Sequence, residues 1–489
     1  MTMHRWEYKW TVALVYVLAL FMTLLDQTIT NVALPTLARV YRASATDVAW
    51  VATSYLISAA VCIPISGWFG DRFGTKRTFA IALVIFTLGS LACGLAGSIG
   101  SLVVFRVLQG VGGGLLTPVG ATMLLRAFSL AERARVSSLI TIPAVVAPAL
   151  GPVVGGYLVE FHSWRWIFLI NVPLGVVGLA IALGGLREQR TEGAGPLDLP
   201  GFALAAAGLG AFVYGLGEVG MRGFGDAQVR LFGGVGLVLL ALFVVVELRV
   251  ARPLIDVRLF REPLFAASNA VLFAIQGGFF GLTFLLPQLL QAERGLSPLA
   301  AGLVSCTTAL GIIVGSPLVG RLYPVVGPRR LIMGGMALAA LAALSLRGVG
   351  LTTDPWLIRG QVFVLGVAFG FVFVPLQTAS FARISPAQTG RASAAYSAVR
   401  QVATSIGVAL LATVLSNRLV AYGATLGNPG TRPGALNAFH DAFAAAALLD
   451  LLGLAAALLI SDRLAASTMR RATADTPVAP ASLPVLVDG

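Results

Sequence analysis

Two ionisable residues stand within long apolar stretches in the first half of the chain. Asp26 lies inside the segment LLDQTITNVALP, and Arg106 begins the segment RVLQGVGGGLLTP. A charged side chain is costly within hydrocarbon, so each is expected to face a protein interior. Burial would favour the neutral carboxyl of Asp26, whereas a nearby Arg106 would favour its carboxylate. Such a balance suits the uptake and release of a proton, and Asp26 is the first candidate for that role.

Both residues also have simpler explanations. Asp26 could be a structural acid that holds Thr28 or Asn31 by hydrogen bonds, and Arg106 could extend to the membrane surface. Polar residues in the apolar stretches could line a cavity or could bond between helices. These candidates are Thr28, Asn31, Gln109, Gln276, Gln377, Arg400 and Asp450. For Asp450, a structural pairing and a role in proton coupling are both open.

The composition indicates a membrane protein with many spans. Of the 489 residues, 57% are hydrophobic and 11% are charged, and the mean hydropathy is +0.88. Soluble proteins carry about 25% charged residues. We identify fourteen apolar stretches of about 20 residues, the length that crosses a bilayer as a helix.

The net charge of +13 has a topological explanation. With both termini on the cytoplasmic side, most Lys and Arg residues fall in cytoplasmic segments, as the positive-inside rule requires. The excess therefore gives no reason to expect a nucleic-acid partner. The three cysteines, Cys62, Cys93 and Cys306, lie in apolar stretches and show neither a disulfide framework nor metal-ligand spacing.

A charged loop, GWFGDRFGTKRTF at residues 67–79, has a counterpart in the second half of the chain. It is too short to form a domain, so it must turn one helix back beside the next. The stretch that begins at Gly320 repeats its glycine spacing and basic tail at an offset of 253 residues. Arg106 and Arg359 differ by the same 253 residues. This agreement indicates two copies of one helical unit.

Two more apolar stretches, 200–218 and 231–248, separate the two copies. The predicted domains are a six-helix bundle over 1–190, two inserted helices within 191–262, a second six-helix bundle over 263–463 and a cytoplasmic tail over 464–489. The polar, proline-containing tail is expected to be disordered. Glu218 and Glu247, at the ends of the inserted helices, are expected at the membrane interface.

The charged loop resembles the signature between the second and third helices of the major facilitator superfamily. The matching residues are Gly67, Asp71, Arg72, Gly74, Lys76 and Arg77. Thr75 stands where this signature usually has a second basic residue, and Pro324 stands where the second copy would have its acid. Glu132 and Arg135, in the next cytoplasmic loop, have the charges to pair with Asp71 and Arg72. We also predict that Asp71 bonds across to the second half at a helix N-terminus.

Three other segments resemble signatures of this superfamily and of its drug:proton antiporters, in the branch with fourteen helices. The first-helix signature is matched by Asp26, Thr28, Asn31 and Pro35. The fourth-helix signature, whose arginine is implicated in proton coupling, is matched by Arg106, Gln109 and Gly110. The Gly-Pro-x-x-Gly-Gly signature of exporters is matched by Gly151, Pro152, Gly155 and Gly156.

The resemblance implies an all-α membrane protein with the major facilitator fold, made of two six-helix bundles and two extra transmembrane helices, 14 in total. It also implies a proton-coupled exporter of amphipathic or cationic organic compounds that works by alternating access in the cytoplasmic (inner) membrane. The expected partners are an organic substrate, protons and the lipid bilayer, and a monomer is expected. Neither a cofactor nor a metal is expected, and the chain is not expected to be an enzyme. The sequence contains no Gly-x4-Gly-Lys-Ser/Thr loop, which argues against ATP as the energy source.

Two alternatives stay open. A dedicated exporter of an endogenous product, such as a siderophore, a lipid or an antibiotic, would share these signatures. A proton-pumping respiratory subunit can also have fourteen helices, but it needs buried Lys–Glu relays. The lysines Lys9 and Lys76 both lie outside the apolar stretches, which disfavours this second alternative.

Overall fold

The protein is helical throughout the ranges that its structure, a computed structural model, describes. These ranges are residues 3–43, 45–129, 132–190, 196–223, 225–250, 253–385 and 388–469. They contain no β-strand. In hydrocarbon every backbone N–H and C=O must be paired within the chain, and a helix achieves this within one segment. The predicted all-α fold is therefore confirmed.

Within the described ranges, seven helices precede the inserted pair. They are α1 (Met3–Tyr41), α2 (Ala45–Phe73), α3 (Thr75–Gly94), α4 (Ile99–Ala127), α5 (Arg133–Phe161), α6 (Trp166–Leu169) and α7 (Asn171–Gly185). The inserted pair and the second half follow. They comprise α8 (Leu199–Arg222), α9 (Ala227–Arg249), α10 (Pro263–Gln288), α11 (Pro298–Val326), α12 (Pro328–Ser345), α13 (Pro355–Ser380), α14 (Thr389–Ala421), α15 (Arg432–Ala457) and α16 (Ala466–Met469). Short 3-10 and π segments at Val257–Arg261, Leu289–Glu293, Leu346–Gly348 and Pro429–Thr431 join or extend them.

The helices account for the fourteen predicted spans. Thirteen spans in the described chain are long and apolar enough to cross a membrane, and one of them, Trp166–Gly185, combines α6 and α7. The remaining long helix is α5, with 29 residues and an apolar segment at Val146–Phe161. Several helices run beyond the predicted apolar stretches, and α1 extends to Tyr41.

Each half of the chain buries its own apolar core. One core is formed by side chains of α1–α4 and α7, and another is formed mainly by side chains of α10–α15. The halves meet along α5 against α11 and along α2 against α14. The inserted helix α8 packs against both α2 and α14, where Leu209 and Val213 lie beside Ala60 and Val402.

The α2–α3 turn and the α11–α12 turn lie at the same end of the helices, which we call the basic end. Each turn has a glycine in the left-handed region, Gly74 with φ of 96° and Gly327 with φ of 85°. A carboxylate from beyond the last span of the same half caps the helix that follows. Glu188 accepts hydrogen bonds from the backbone N–H groups of Lys76 and Arg77, at 3.0 and 3.2 Å.

The corresponding cap in the second half is Asp462, which accepts a hydrogen bond from the backbone N–H of Arg329 at 2.9 Å. A side chain at either glycine would collide with the carboxylate, because a Cβ at Gly74 or Gly327 would lie 2.1 or 2.9 Å from it. The internal duplication therefore extends from the turn to the residue that caps it.

One prediction about the ends of elements is wrong, and another stays a prediction. Glu218 and Glu247 are 5% and 0% exposed, so protein covers their side chains, and their expected depth at the membrane interface stays a prediction. The expectation of disorder is wrong for the first residues of the tail, because Thr468 of α16 is buried and its hydroxyl forms a hydrogen bond with that of Tyr323 at 2.7 Å. The remainder of the predicted tail, residues 470–489, lies outside the described residues.

Candidate functional site

Asp26 and Arg106 form an ion pair in the interior of the first half. Asp26 lies on α1 and is 0% exposed, and Arg106 lies on α4 and is 1% exposed. Arg106 Nη1 donates to Asp26 Oδ2 at 2.5 Å. The arginine therefore does not extend to the membrane surface, and the alternative that explained it by such extension is wrong.

Two amide side chains complete the coordination of the carboxylate. Gln109 Nε2 and Asn171 Nδ2 donate to Asp26 Oδ1 at 2.8 and 3.1 Å. Both amides also donate to Ser90 Oγ, at 3.0 and 3.1 Å. Helices α1, α3, α4 and α7 thus each contribute one or more groups to a single polar cluster, which we call the Asp26 cluster.

Arg106 has further partners that hold its guanidinium in place. Its Nε donates to the backbone carbonyl of Val51 at 2.9 Å, and its Nη1 also donates to Gln109 Oε1 at 2.7 Å. The guanidinium lies over the ring of Tyr55, 4.3 Å from the centroid. Hydrogen bonds, charge and the aromatic face all act on one cation, which favours a single fixed orientation.

The start of α4 sets the depth of Arg106 in the bundle. Ser98 precedes the helix; its hydroxyl accepts a hydrogen bond from Ser101 N at 3.2 Å, and its own backbone N–H donates to Ser101 Oγ at 3.1 Å. This capping box fixes where the helix begins. Arg106 and Gln109 are three residues apart, and side chains with that spacing lie on the same face of a helix.

Thr28 does not bond to Asp26. Its hydroxyl donates to the carbonyls of Leu24 and Leu25 on its own helix, at 3.2 and 3.1 Å. The proposal that Asp26 serves to hold Thr28 is therefore wrong. Thr28 instead faces Gly151 on α5, where a Cβ would lie 2.1 Å from Thr28 Oγ1 and 3.1 Å from Ile29 N.

The other residues of the exporter signature differ in their surroundings. Gly155 is buried, whereas a Cβ at Gly156 would meet nothing within 4 Å. The predicted site residues Asn31, Arg135 and Pro152 lie on helices, but their side chains are outside the described part of the structure. Their proposed roles stay predictions.

The charged loop lies against the second half, at the N-terminus of α14. A Cβ at Gly67 would lie 3.2 Å from the carbonyl oxygen of Gly390, and a Cβ at Gly390 would lie 3.6 Å from both carboxylate oxygens of Asp71. Asp71 also accepts a hydrogen bond from Arg126 Nη2 of α4 at 3.1 Å. The carboxylate thus lies beside the positive end of a helix in the other half, as the predicted contact across the halves requires.

Glu132 was predicted to pair with the charged loop, but its observed partners are Lys9 and Ser129. Glu132 forms an ion pair with Lys9 at 2.8 Å and accepts hydrogen bonds from Ser129. Burial raises the pKa of Glu132, but the hydrogen bonds from Lys9 and Ser129 outweigh burial and lower the pKa below its ordinary value of 4.5. Lys76 and Arg77 are engaged by Glu188, while Arg72 is exposed and has an interaction of its own.

The polar candidates of the second half do not form one cluster. Gln276 of α10 donates to Thr404 Oγ1 of α14 at 3.4 Å, so it bonds between helices. Gln377 Oε1 is buried without a hydrogen-bond partner in the described structure. Arg400 lies near the hydroxyls of Tyr16 in the first half and Tyr396 on its own helix.

Sequence reasoning missed five residues that the structure places in these sites. Ser90 and Asn171 complete the Asp26 cluster, and Tyr55 lies against the guanidinium of Arg106. Arg126 pairs with Asp71, and Glu188 caps α3 beneath the charged loop. Asn171 had a detectable signal, because it is an amide at the start of an otherwise apolar helix. Ser90 and Tyr55 had none, since both residue types are common in helices that are packed together.

The Asp26 cluster can exchange a proton only if its ion pair separates. The carboxylate accepts three hydrogen bonds and faces one cation, so a proton and Arg106 would compete for the same oxygens. No group of three or more His, Cys, Asp or Glu residues in the described structure could hold a metal ion.

Known proteins resemble this chain in both sequence and fold. The model of the Major Facilitator Superfamily matches residues 16–408. The Multidrug resistance protein B homolog of Mycobacterium tuberculosis (strain ATCC 25618 / H37Rv) is 36% identical over 407 residues, which cover 82% of this chain and 75% of the relative.

Two solved structures share the fold at low sequence identity. The human organic anion transporter MFSD10 (TETRAN) superimposes with a TM-score of 0.62 at 16% identity, covering 92% of this chain and 99% of its own. The proton:xylose symporter XylE gives the same TM-score and identity, covering 92% of this chain and 94% of its own. The family match spans most of the chain, and a relative above 30% identity covers more than two thirds of it. The chain therefore belongs to the Major Facilitator Superfamily and is a membrane transporter, not an enzyme.

Proposed function

We propose that this transporter exports amphipathic or cationic organic compounds in exchange for protons. The observation that carries the proposal is the buried ion pair of Asp26 and Arg106, whose carboxylate is the group most suited to carry a proton. The name of the Mycobacterium tuberculosis relative supports a drug-like substrate class.

The ion pair offers a way to link protonation to a change of conformation. When a proton binds Asp26, the carboxyl becomes neutral and loses its attraction for Arg106. Helices α1, α4 and α7 are then joined less strongly, which favours a different arrangement of the first half. Release of the proton restores the charge and the three hydrogen bonds. A cationic substrate would also compete with the proton for the negative charge.

Contacts at the basic end suit alternating access. The halves meet where Asp71 lies beside the N-terminus of α14, and this contact must open for the central region to reach the other side of the membrane. We place the basic end and both termini in the cytoplasm, because basic segments resist translocation. The transporter would lie in the cytoplasmic membrane as a monomer, with the two bundles and the inserted pair as separate units.

The test uses purified protein in liposomes with an imposed pH gradient. Ethidium serves as the cationic probe, and proton movement is followed with an entrapped pH dye. We expect ethidium export coupled to counterflow of protons in the wild type, and loss of both in Asp26→Asn. Asp354→Asn is the matched control, because Asp354 caps α13 through Trp356 N and an asparagine caps equally well.

Two results would contradict the proposal. Export by Asp26→Asn at the wild-type rate under the gradient would show that Asp26 is structural. Export by the wild type that is independent of the gradient would exclude proton coupling. Because Asp26→Asn leaves Arg106 as an unpaired buried cation, rates must be compared per amount of folded protein.

A further inference from the structure

Asp450 is a second buried carboxyl, and it has no partner of the kind that Asp26 has. It lies on α15 and is 1% exposed. Neither of its carboxylate oxygens has a hydrogen-bond partner in the described structure. A buried carboxylate without a donor or a cation costs several kcal/mol more than a neutral carboxyl.

The helices packed against α15 place no cation within hydrogen-bond distance of Asp450 in the described structure. Those helices are α10, α12 and α14, and α10 has no titratable residue along its length. The titratable residues on the other neighbouring elements and on α15 itself are Arg329, Arg330, Arg391, Tyr396, Arg400, Arg418, Arg347, Glu293, Arg432, His440 and Asp441. None of them forms a hydrogen bond with either carboxylate oxygen of Asp450 in the described structure.

Several of these groups are engaged elsewhere. Arg418 forms an ion pair with Asp441 at 3.1 Å, and Glu293 accepts a hydrogen bond from Gly427 N. His440 is hydrogen bonded to the carbonyl of Val349 at 3.0 Å. Arg359, the counterpart of Arg106 in the duplication, lies 4.5 Å from the ring of Trp356. The ion pair of the first half is therefore not repeated in the second.

The position of Asp450 is related to that of Asp26 by the duplication. Gly278 on α10 stands 252 residues after Asp26, the offset that also relates Pro35 to Pro287. A Cβ at Gly278 would lie 2.7 Å from Asp450 Oδ1. The carboxyl from α15 thus occupies the place where an acidic side chain at residue 278 would begin. Both halves bury a carboxyl at corresponding places, but they supply it from different helices.

The described surroundings of Asp450 include a hydrogen-bond acceptor for a protonated carboxyl but no hydrogen-bond donor for a carboxylate. The carbonyl oxygen of Ala446, one turn earlier on α15, lies 3.6 Å from the same Cβ position at Gly278. A protonated carboxyl can donate to a carbonyl of its own helix, as Ser and Thr hydroxyls do. A carboxylate can only accept hydrogen bonds, and the described surroundings provide no donor.

We propose that Asp450 holds a proton in this conformation and is a second proton-exchange site of the transporter. This inference rests on the proposed proton coupling. When the contact between α10 and α15 opens to water, the O–H bond breaks, the proton passes to a water molecule and the carboxylate remains. Reclosure requires a proton to return from water, since the closed site has no cation for a carboxylate. Asp450 therefore adds one proton to each transport cycle.

The first experiment measures protonation directly in the purified full-length transporter. Infrared difference spectra distinguish the carbonyl stretch of a protonated carboxyl from the bands of a carboxylate. At pH 7 we expect the spectrum of the wild type minus that of Asp450→Asn to contain a protonated-carboxyl band, and the spectrum of the wild type minus that of Asp441→Asn to lack it. Absence of that band from the Asp450→Asn difference would overturn the inference.

The second experiment separates the inference from the proposed function. In liposomes, the number of protons exchanged per ethidium cation should be lower by one in Asp450→Asn than in the wild type. Asn is neutral, so this variant should also keep the wild-type melting temperature, and lower proton exchange would not reflect misfolding. An unchanged ratio in a folded variant would refute the role of Asp450 alone. Export without any proton movement in the wild type would refute the proposed coupling, and the role of Asp450 with it.

Discussion

Gln109 contacts both members of the buried ion pair, accepting a hydrogen bond from Arg106 at Oε1 and donating one to Asp26 from Nε2. A single amide thereby bridges the cation and the anion, and its orientation is fixed by the two bonds. The ion pair is therefore a triad in which each side chain constrains the other two. The energetic coupling within this triad can be measured.

The thermal stability of the protein is expected to depend on both charges of the ion pair being present. Arg106→Met leaves Asp26 buried without its cation, and such losses typically cost about 3–5 kcal/mol. Asp26→Asn leaves the opposite charge unpaired. We expect both single variants to melt well below the wild type, and the double variant Asp26→Asn/Arg106→Met to recover much of the difference.

Thermal unfolding followed with a thiol-reactive dye suits this test, because Cys93 is buried and the other two cysteines are partly so. Arg359→Met is the matched control, since Arg359 occupies the corresponding place in the duplication and stacks on Trp356. If the double variant lost as much stability as the two single variants combined, the charges would not be coupled.

Gly151 and Gly156, the first and last residues of the exporter signature, are expected to differ in their importance for stability and transport. Gly151→Ala would force a methyl group against Thr28 and the backbone of Ile29. Overpacking of this kind typically costs about 1–3 kcal/mol. Gly156→Ala meets open space and should change stability by less than about 0.5 kcal/mol. Equal losses of stability and transport in the two variants would show that the α1–α5 contact does not explain the signature.

Asp71 is expected to stabilise the closed contact at the basic end. Asp71→Asn removes the charge beside the N-terminus of α14, and such an interaction is typically about 0.3–1 kcal/mol, or a two- to fivefold change in population. Spin labels at Phe73→Cys and Ser385→Cys, both exposed positions, report the distance between the halves. We expect the longer distances to become more populated, while ethidium still binds. Loss of binding with an unchanged distance distribution would contradict the gating role.

The ion pair between Lys9 and Glu132 is expected to stabilise the protein only above acidic pH. Since the pKa of Glu132 is lowered in the folded protein, this contribution is fully present above 4.5 and is lost as the pH falls through the folded-state pKa. The pair is partly exposed, so we expect at most about 1 kcal/mol.

Melting temperatures of the wild type and Glu132→Gln, measured as a function of pH, test this expectation. The two curves should be separate at pH 7 and should converge under acidic conditions. A separation that grows as the pH falls would reverse the predicted sign.

The sequence contained enough information to identify the members of the ion pair but not all their partners. Asp26 and Arg106 were evident because a charge is rare within an apolar stretch. Asn171 and Ser90 were harder to identify, since helical periodicity shows which residues share a face but not how neighbouring helices are rotated against each other. Asp450 lacks a partner because none of the three helices packed against α15 places a hydrogen-bond donor beside it in the described structure. The sequence pattern of a single helix cannot show this.

The charged loop shows the same limit on predicting the partners of a residue from sequence. Its contact with the second half was predicted from one acid that the duplication does not repeat. Arg126 was not predicted as a partner of Asp71, because it lies at the end of α4 among residues that could face several directions. Glu132 was expected near the loop, but it lies beside Lys9 at the start of α1.

The caps made by Glu188 and Asp462 have a consequence for how the polypeptide is assembled. Each carboxylate fastens the far end of one half to the turn near its beginning, so each half closes upon itself. The covalent connection through α8 and α9 is then unnecessary for either half to keep its internal order. The gene could accordingly be split between the codons for Arg190 and Asp198, and the two polypeptides should find each other in the membrane and restore transport.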